Sequence, residues 1–223
     1  MLEPPVIAAL TIRHDLAEAW FQQVGGRRTL LVVNAARQTW GEPAYGVHVL
    51  YTGSNLYWTG GWNAGMAHAM SQWPKAEYVW MCNDDIEGAY EGMADHLASI
   101  LDRHQEVAMV SPTILHNPHP MMRPAYVSQE RRPVTFVDGV CPMVRVAAWK
   151  NVGEFDTRFI GYGADIDWCV RARRLDWQLA VTDYEVIHHA HPGKTGVQDN
   201  GFERLLAEKY GGQHWMALRD GAK

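Results

Sequence analysis

The sequence is short of several features that would assign a class at once. It has only three cysteines, Cys82, Cys141 and Cys169, an odd number with no Cys-x-x-Cys pair. That argues against a disulfide framework and a zinc knuckle. All three sit among apolar neighbours, so buried free thiols in a reducing compartment are expected. No apolar run approaches the length of a membrane span. Met1-Leu2-Glu3-Pro4-Pro5 lacks the basic and apolar regions of a signal peptide, and a cytoplasmic location is expected. Basic excess is missing too: 20 Lys and Arg stand against 25 Asp and Glu, a net charge of −5. Binding to nucleic-acid phosphates draws on Lys and Arg. A general nucleic-acid binder is therefore disfavoured, although Arg123, Arg131 and Arg132 leave a local basic strip. No repeat, linker or low-complexity tract divides the chain.

What remains is the composition of one folded domain: 223 residues, 47% of them hydrophobic, enough to bury a core. Ten Trp and nine Tyr are many, and most are expected in that core, with a few rings left for a pocket. Val6 to Ile12, Leu30 to Val33, Val47 to Tyr51, Glu77 to Cys82 and Val107 to Val110 read as strands. The continuous apolar run Leu30-Leu31-Val32-Val33 suits a parallel strand buried on both faces. Between them, Asp15 to Val24 (capped by Asp15 and ended by Gly25-Gly26), Gly61 to Gln72 and Glu91 to Arg103 read as helices. This alternation predicts a doubly wound α/β sheet. Ser111 to Pro133 breaks into Pro, His and Arg, a length at which a loop is often a functional lid. Beyond it, Val134 to Val137, Met143 to Arg145, Gln178 to Thr182 and Val186 to His188 read as strands. Asp165 to Arg174 and Asn200 to Tyr210 read as helices.

Four segments carry candidate chemistry. Asn83-Asp84-Asp85 follows directly on a buried strand, at the end where α/β sheets bind ligands. Adjacent carboxylates there repel unless a cation sits between them and an anion such as a diphosphate; a solvated turn before the next helix explains them equally well. His188-His189-Ala190-His191 closes another strand. Imidazole suits Mn2+, Zn2+ or Fe2+ more than Mg2+, and strand alternation points His188 and His189 to opposite faces. Which of His188, His189 and His191 would hold a metal is open. In Gly161-Tyr162-Gly163-Ala164-Asp165-Ile166-Asp167, Asp167 has a partner in Arg171 four residues on, on the helix surface. Asp165 has only a capping role against it and is the better general base. Thr59-Gly60-Gly61-Trp62-Asn63-Ala64-Gly65 opens a helix with glycines, a turn able to meet a phosphate, though a plain strand-to-helix turn serves nearly as well.

In this order, the segments resemble the family-2 glycosyltransferases of GT-A fold, the rhamnosyltransferase-like branch in particular. The resemblance runs over about Val6 to His191. It rests on Asn55 to Gly65, on Tyr78 to Glu87, on Val152-Gly153-Glu154-Phe155-Asp156 followed by Tyr162 to Asp167 and Arg171 to Arg173, and on Val186 to His189. It implies a single GT-A domain over 1–223, Rossmann-like, with a mostly parallel central sheet flanked by helices. Residues 1–110 would bind the nucleotide-sugar and 111–223 the acceptor. It implies metal binding (Mn2+ or Mg2+) by Asp85 and His188, with Asp165 as the catalytic base. Thr11, Arg13, Asn34, Asn63, Asn83 and Asp84 fall on the donor side, and Gly163 and Asp167 on the acceptor side. The implied reaction is inverting transfer of a sugar, hexosyl or deoxyhexosyl, from a nucleotide-sugar to a hydroxyl acceptor: a glycan, a lipid-linked sugar, a protein or a modified nucleic-acid base. Two positions depart from the family pattern: Ala164 precedes the base where an acid is usual, and Asn34 ends the second strand where an Asp contacts the donor's base.

Two other classes compete. A nucleotidyltransferase shares the sheet and the metal but wants a basic, glycine-rich loop after the first strand, and Thr11-Ile12-Arg13-His14-Asp15 has no glycine. A non-catalytic nucleotide-sugar binder would account for Ala164 and Asn34.

Overall fold

A computed structural model describes residues 3–24, 28–35, 47–125, 130–189 and 201–222. Gly25-Gly26 and His191 lie outside that set. Among the described residues, nine strands form one sheet: β1 (Val6–Thr11), β2 (Thr29–Val33), β3 (His48–Tyr51), β4 (Tyr78–Asn83), β5 (Ile86–Glu87), β6 (Val107–Leu115), β7 (Arg132–Val134), β8 (Met143–Arg145) and β9 (Gln178–His188). The helices are α1 (His14–Val24), α2 (Tyr57–Gln72), α3 (Glu91–Arg103), α4 (Val146–Val152), α5 (Ala164–Arg174), α6 (Phe202–Lys209) and α7 (Trp215–Arg219).

The strand order is β3-β2-β1-β4-β8-β6-β9-β5, with β7 added against β9. The four strands from β3 to β4 are parallel throughout. In the second half, β6 and β9 run parallel, while β8 pairs antiparallel with β4 and β6, and β5 and β7 pair antiparallel with β9. The expected parallel sheet therefore describes the N-terminal half, and the rest is mixed. Every residue of β1 and β2 is buried, as strands covered by helices on both faces must be. Each fully buried Leu or Val there stabilises the fold by about 1.5–3 kcal/mol. Trp20, Trp62, Trp80 and Trp168 are fully buried, and so are all three cysteines.

Several elements differ from the sequence pattern: β5, α4 and α7 are not expected from it, and the strand expected at Val134 to Val137 lies at Arg132–Val134. β6 continues to Leu115, so the stretch after Val110 begins as a buried strand. A 3-10 turn at Pro120–Met122 and then β7 order much of the remainder. The proline in β7 sits on an edge strand, where its missing N–H costs least. Gln178 to His188 is one strand, not two. The cap assigned to Asp15 is absent: α1 begins at His14, and the Asp15 carboxylate accepts from the Arg13 guanidinium instead (2.5 and 3.1 Å).

A further difference bears on the site. α2 starts at Tyr57, so Gly60, Gly61 and Gly65 lie inside the helix and not in a turn that opens it. Their role is close packing. A Cβ on Gly61 would lie 2.6 Å from Leu10 Cδ1 and 3.1 Å from Asn34 Nδ2, and one on Gly65 would lie 2.8 Å from Val32 Cγ2. The glycines let α2 press onto the ends of β1 and β2. Gly61→Ala is accordingly expected to destabilise the protein by about 1 kcal/mol or more, although Ala is the better helix former. Urea unfolding of the variant measures this.

Candidate active site

A cavity opens at the carboxyl ends of β1, β2 and β4, and its far wall comes from residues 138–165 and the end of β9. Thr11, Asn34, Asn83, Asp85, Asp165 and His188 all line it. The sequence separates these residues widely, and the sheet order brings them together. Arg13, Asn63, Asp84, Gly163 and Asp167 are not on its wall.

Asp85 and His188 meet through strand pairing. β5 turns back after β4 and runs antiparallel to β9, setting Ile86 against His188, and the His189 N–H donates to the Asp85 carbonyl (2.8 Å). This places His188 Nε2 3.3 Å from Asp85 Oδ1. His189 points the other way, onto Glu87 (2.7 Å), as alternation along a strand requires. Of the described histidines in that cluster, His188 is the one on the cavity.

Asp165 stands in the first turn of α5, beyond the left-handed Gly163 (φ 86°). Its Oδ1 accepts from the Ile166 N–H (2.8 Å) and its Oδ2 from the Gly139 N–H (3.3 Å). Burial, with a smaller contribution from the charge of Asp138, raises its pKa to about 7. Asp138 lines the same cavity, and its Oδ2 accepts from the Asn117 amide (2.8 Å). Among the described residues, the wall therefore carries the carboxylates of Asp85, Asp138 and Asp165 and no Lys or Arg.

Several expected roles are taken up by structure. Asn63 clips α2 to the following half: its Nδ2 donates to the Phe155 carbonyl (2.9 Å) and its Oδ1 accepts from the Phe155 N–H (3.0 Å). Arg13 is exposed and paired with Asp15. Thr11 closes the turn after β1, donating to the Arg13 carbonyl (2.9 Å) and accepting from the Arg13 N–H (3.0 Å). Asp84 is buried behind the wall. Gly163 is required by its backbone and by its neighbours, since a Cβ would lie 2.9 Å from the Phe202 ring. Asp167 does pair with Arg171, but not on the surface. It is 0% exposed and accepts from Arg171 Nε (2.8 Å), Tyr210 OH (2.7 Å) and Lys209 Nζ (2.7 Å). This cluster holds α6 against α5. No described residue of 111–133 lines the cavity, so the expected lid has no place in its wall.

Asn34 lines the cavity but spends its amide on the loop before α2. Its Nδ2 donates to Asn55 Oδ1 (3.1 Å) and to the Tyr57 carbonyl (2.8 Å). Its Oδ1 accepts from the Leu56 N–H (2.8 Å).

No protein-family model matches the chain. In sequence it is 29% identical to the N-acetylglucosaminyl-diphospho-decaprenol L-rhamnosyltransferase of Mycobacterium tuberculosis, over 67% of this chain and 49% of that protein. It is 26% identical to the low-salt glycan biosynthesis hexosyltransferase Agl10 of Haloferax volcanii, over 57% of this chain and 47% of that protein. The chain spans about half the length of these curated relatives. In fold it superposes on GalNAc-T7, crystallised with UDP, GalNAc and Mn2+, with a TM-score of 0.67 at 10% identity, covering 92% of this chain and 48% of that one. It superposes on residues 1–349 of TarS from S. aureus, crystallised with UDP, with a TM-score of 0.55 at 11% identity, covering 92% and 70%.

The chain has the GT-A fold, and its sequence is similar to those of glycosyltransferases.

Within this GT-A site, sequence reasoning missed Asp138, Asn55, Tyr57, Trp58 and Tyr162 as lining residues. Asp138 had a signal in Val137-Asp138-Gly139, a carboxylate and a glycine between two apolar runs. The aromatic residues had none, because their exposure is set by the helix start at Tyr57 and by the packing of Phe202 under Tyr162 (ring centroids 6.2 Å apart).

Two outcomes follow from this geometry. Asn34→Asp would set carboxylate oxygens against Asn55 Oδ1 and the Tyr57 carbonyl, and is expected to cost about 1–3 kcal/mol of stability, read by chemical denaturation. Asp165 carries a raised pKa in the folded state, so its contribution is fully present below the unfolded carboxylate pKa near 4 and is lost as pH rises through about 7. Asp165→Asn cannot ionise but turns an –NH₂ onto one of the two N–H groups from which the carboxylate accepts, so its melting temperature relative to the wild type should rise between pH 4 and pH 8, whatever its value at pH 4. Equal melting differences at both pH values would count against the raised pKa.

Proposed function

We propose that this chain transfers a hexosyl or deoxyhexosyl group from a nucleoside-diphosphate-sugar to a hydroxyl acceptor, with inversion, using Asp165 as the base and a divalent cation at Asp85 and His188. The observation that carries the reading is the cavity wall itself. It presents an imidazole beside one carboxylate, a second carboxylate poised as a base, and no fixed cation among the described residues.

The residues fit a divalent ion. One carboxylate and one imidazole suit Mn2+ better than Mg2+, and no described cluster of three or more His, Cys, Asp and Glu side chains forms a complete protein cage. Such a pair leaves positions open for diphosphate oxygens. The diphosphate also needs a cation to enter a wall bearing three carboxylates. A cation held by Asp85 and His188 would offset negative charge on the departing diphosphate. The Mn2+ and UDP crystallised with GalNAc-T7, and the UDP with TarS, support this assignment. The names of the curated relatives support a hexose or deoxyhexose donor.

The chain's own residues account for the rest of the reaction. The acceptor hydroxyl lies at Asp165, its oxygen attacks the anomeric carbon, and the bond from that carbon to the diphosphate oxygen breaks. The proton passes to an Asp165 oxygen. A pKa near 7 suits a base that must be free at neutral pH yet strong enough to take the proton. The N–H groups of Ile166 and Gly139 hold the carboxylate in place. In this reading residues 10–85 supply the donor wall, while 138–165 supply the acceptor wall.

Donor turnover, read as release of nucleoside diphosphate from a panel of nucleotide-sugars, tests the reading. Asp85→Asn should abolish release while the protein stays folded, and chelator should silence the wild type. Asp165→Asn should cut transfer by about 10²–10⁴ with donor affinity retained. Full turnover in excess chelator overturns the metal assignment, and release of pyrophosphate instead would make the chain a nucleotidyltransferase. Asp167→Asn is expected to act on the fold, costing about 3 kcal/mol through the cations left facing it, as seen in its melting temperature.

A further inference from the structure

We infer that Asp138 is a specificity-determining residue: one of its carboxylate oxygens accepts a hydrogen bond from a second hydroxyl of the acceptor, so that transfer goes to one of two hydroxyls on neighbouring carbons. The inference rests on the transfer reading above and goes beyond it to a residue and a chemical class of acceptor.

Asp138 has no part in the mechanism above, yet it is held in place from behind. Its Oδ2 accepts from Asn117 Nδ2 (2.8 Å). Asn117 is 4% exposed, its Oδ1 takes the His119 N–H (2.8 Å), and its carbonyl takes Arg123 Nε (2.6 Å). The orientation of the amide follows. Only the oxygen can accept from His119, so the nitrogen faces Asp138. Asn117 belongs to the segment whose described residues do not line the cavity, and its work is to aim a residue that does.

An amide orients a carboxylate without cancelling its charge. The titratable groups around Asp138 do not cancel it either. Burial holds His119 below the ordinary imidazole range against the pull of Asp138, leaving it neutral at neutral pH. Burial likewise pushes the Cys141 thiol up to about 12. Arg219, beside His119, pairs with Asp220 (2.6 Å). Among the described residues Asp138 makes no ion pair, and its Oδ1 has no hydrogen-bond partner. A charged oxygen is thus left over on the cavity wall, and it accepts more strongly than a neutral one.

Its neighbour is the base. The N–H of Gly139, next in the chain after Asp138, donates to Asp165 Oδ2 (3.3 Å), so the two aspartates leave adjacent points of the wall. A hydroxyl seated at Asp165 for attack has Asp138 beside it. An ionised carboxylate accepts and does not donate, so it repels a diphosphate and meets a donor hydrogen of the acceptor. A second hydroxyl on the adjacent carbon supplies one, since the two stand side by side when gauche. Tyr162, 61% exposed on the same wall, gives the carbon skeleton an apolar face. An acceptor with a lone hydroxyl would strip water from Asp138 and offer no hydrogen bond in its place, which disfavours it.

The test couples a change in the acceptor to a change in the protein. Nucleoside diphosphate release from a nucleotide-sugar is measured with methyl glycosides, which carry neighbouring hydroxyls, and with N-acetylserinamide, which has one hydroxyl. The glycoside that accelerates release most is then compared with its monodeoxy derivatives, for the wild type, Asp138→Ala and Asp138→Asn. Removing the neighbouring hydroxyl is expected to lower kcat/KM of the wild type about tenfold or more. Asp138→Ala should lose a similar factor on the intact glycoside and be indifferent to the missing hydroxyl, a coupling that a merely structural role would not produce. Asp138→Asn keeps an oxygen for Asn117, and it carries the comparison if the alanine variant unfolds; its loss should be smaller. Losses that multiply independently in a folded variant overturn the inference. So does faster transfer to N-acetylserinamide, or acceleration by no glycoside. Calorimetry with Mn2+ should give equal affinities for the wild type and Asp138→Asn, and weaker binding by the variant would make Asp138 a metal ligand instead. A wild type that releases no nucleoside diphosphate with or without acceptor overturns the transfer reading itself.

Discussion

The antiparallel return of β5 along β9 is the contact on which the site depends. β4 ends in a buried run, the chain turns through Asp84 and Asp85, and two residues then pair with the end of the last strand of the sheet. The backbone bond from His189 to the Asp85 carbonyl fixes the register. Because side chains alternate along β9, a slip of one residue would turn His189 to the cavity and His188 away. The Asp85–His188 pair thus depends on ordinary ladder hydrogen bonds.

Across the cavity, electrostatics and stability oppose each other. Three carboxylates on one wall raise the energy of the folded chain, and the upward shift of Asp165, from burial and from the charge of Asp138, reflects it. Nearby, Asp167 shows the opposite arrangement: fully buried, but met by Arg171, Lys209 and Tyr210. Two aspartates two residues apart therefore have different work. Asp167 fastens α6 to α5 and so holds Phe202 against Gly163. Asp165, freed of cations, keeps its proton affinity.

The N-terminal wall is arranged by close packing. Gly61 and Gly65 bring α2 down onto Leu10, Asn34 and Val32, and Asn63 ties the same helix to Phe155. The helix start and the Asn34-held loop in front of it are consequently rigid with respect to the sheet, which explains how a left-handed tyrosine, Tyr57 (φ 57°), is tolerated there. The fold places its irregular backbone where the cavity lies and leaves regular structure behind it.

Much of this was legible in the residues alone. Alternating apolar runs gave the parallel half of the sheet, because strands covered on both faces must be apolar throughout. The paired acids after β4 and the histidines of β9 were visible as chemistry at strand ends. The preference for Asp165 over Asp167 followed from Arg171 standing four residues from Asp167. The rest needed three dimensions. Spacing in the sequence could not reveal that Asn34 and Asn63 are fully used within the protein, since their partners lie far away in the chain. It could not tell a glycine that opens a turn from one that admits a neighbouring side chain, as at Gly61. Val137-Asp138-Gly139 marks a carboxylate beside a glycine, but Asp138 belongs to the site only because the chain between β7 and β8 crosses beside the start of α5. Local pattern determined which segments are buried and where charge collects; tertiary packing decided which polar groups were left over for a ligand, because hydrogen-bond satisfaction is a property of the whole fold.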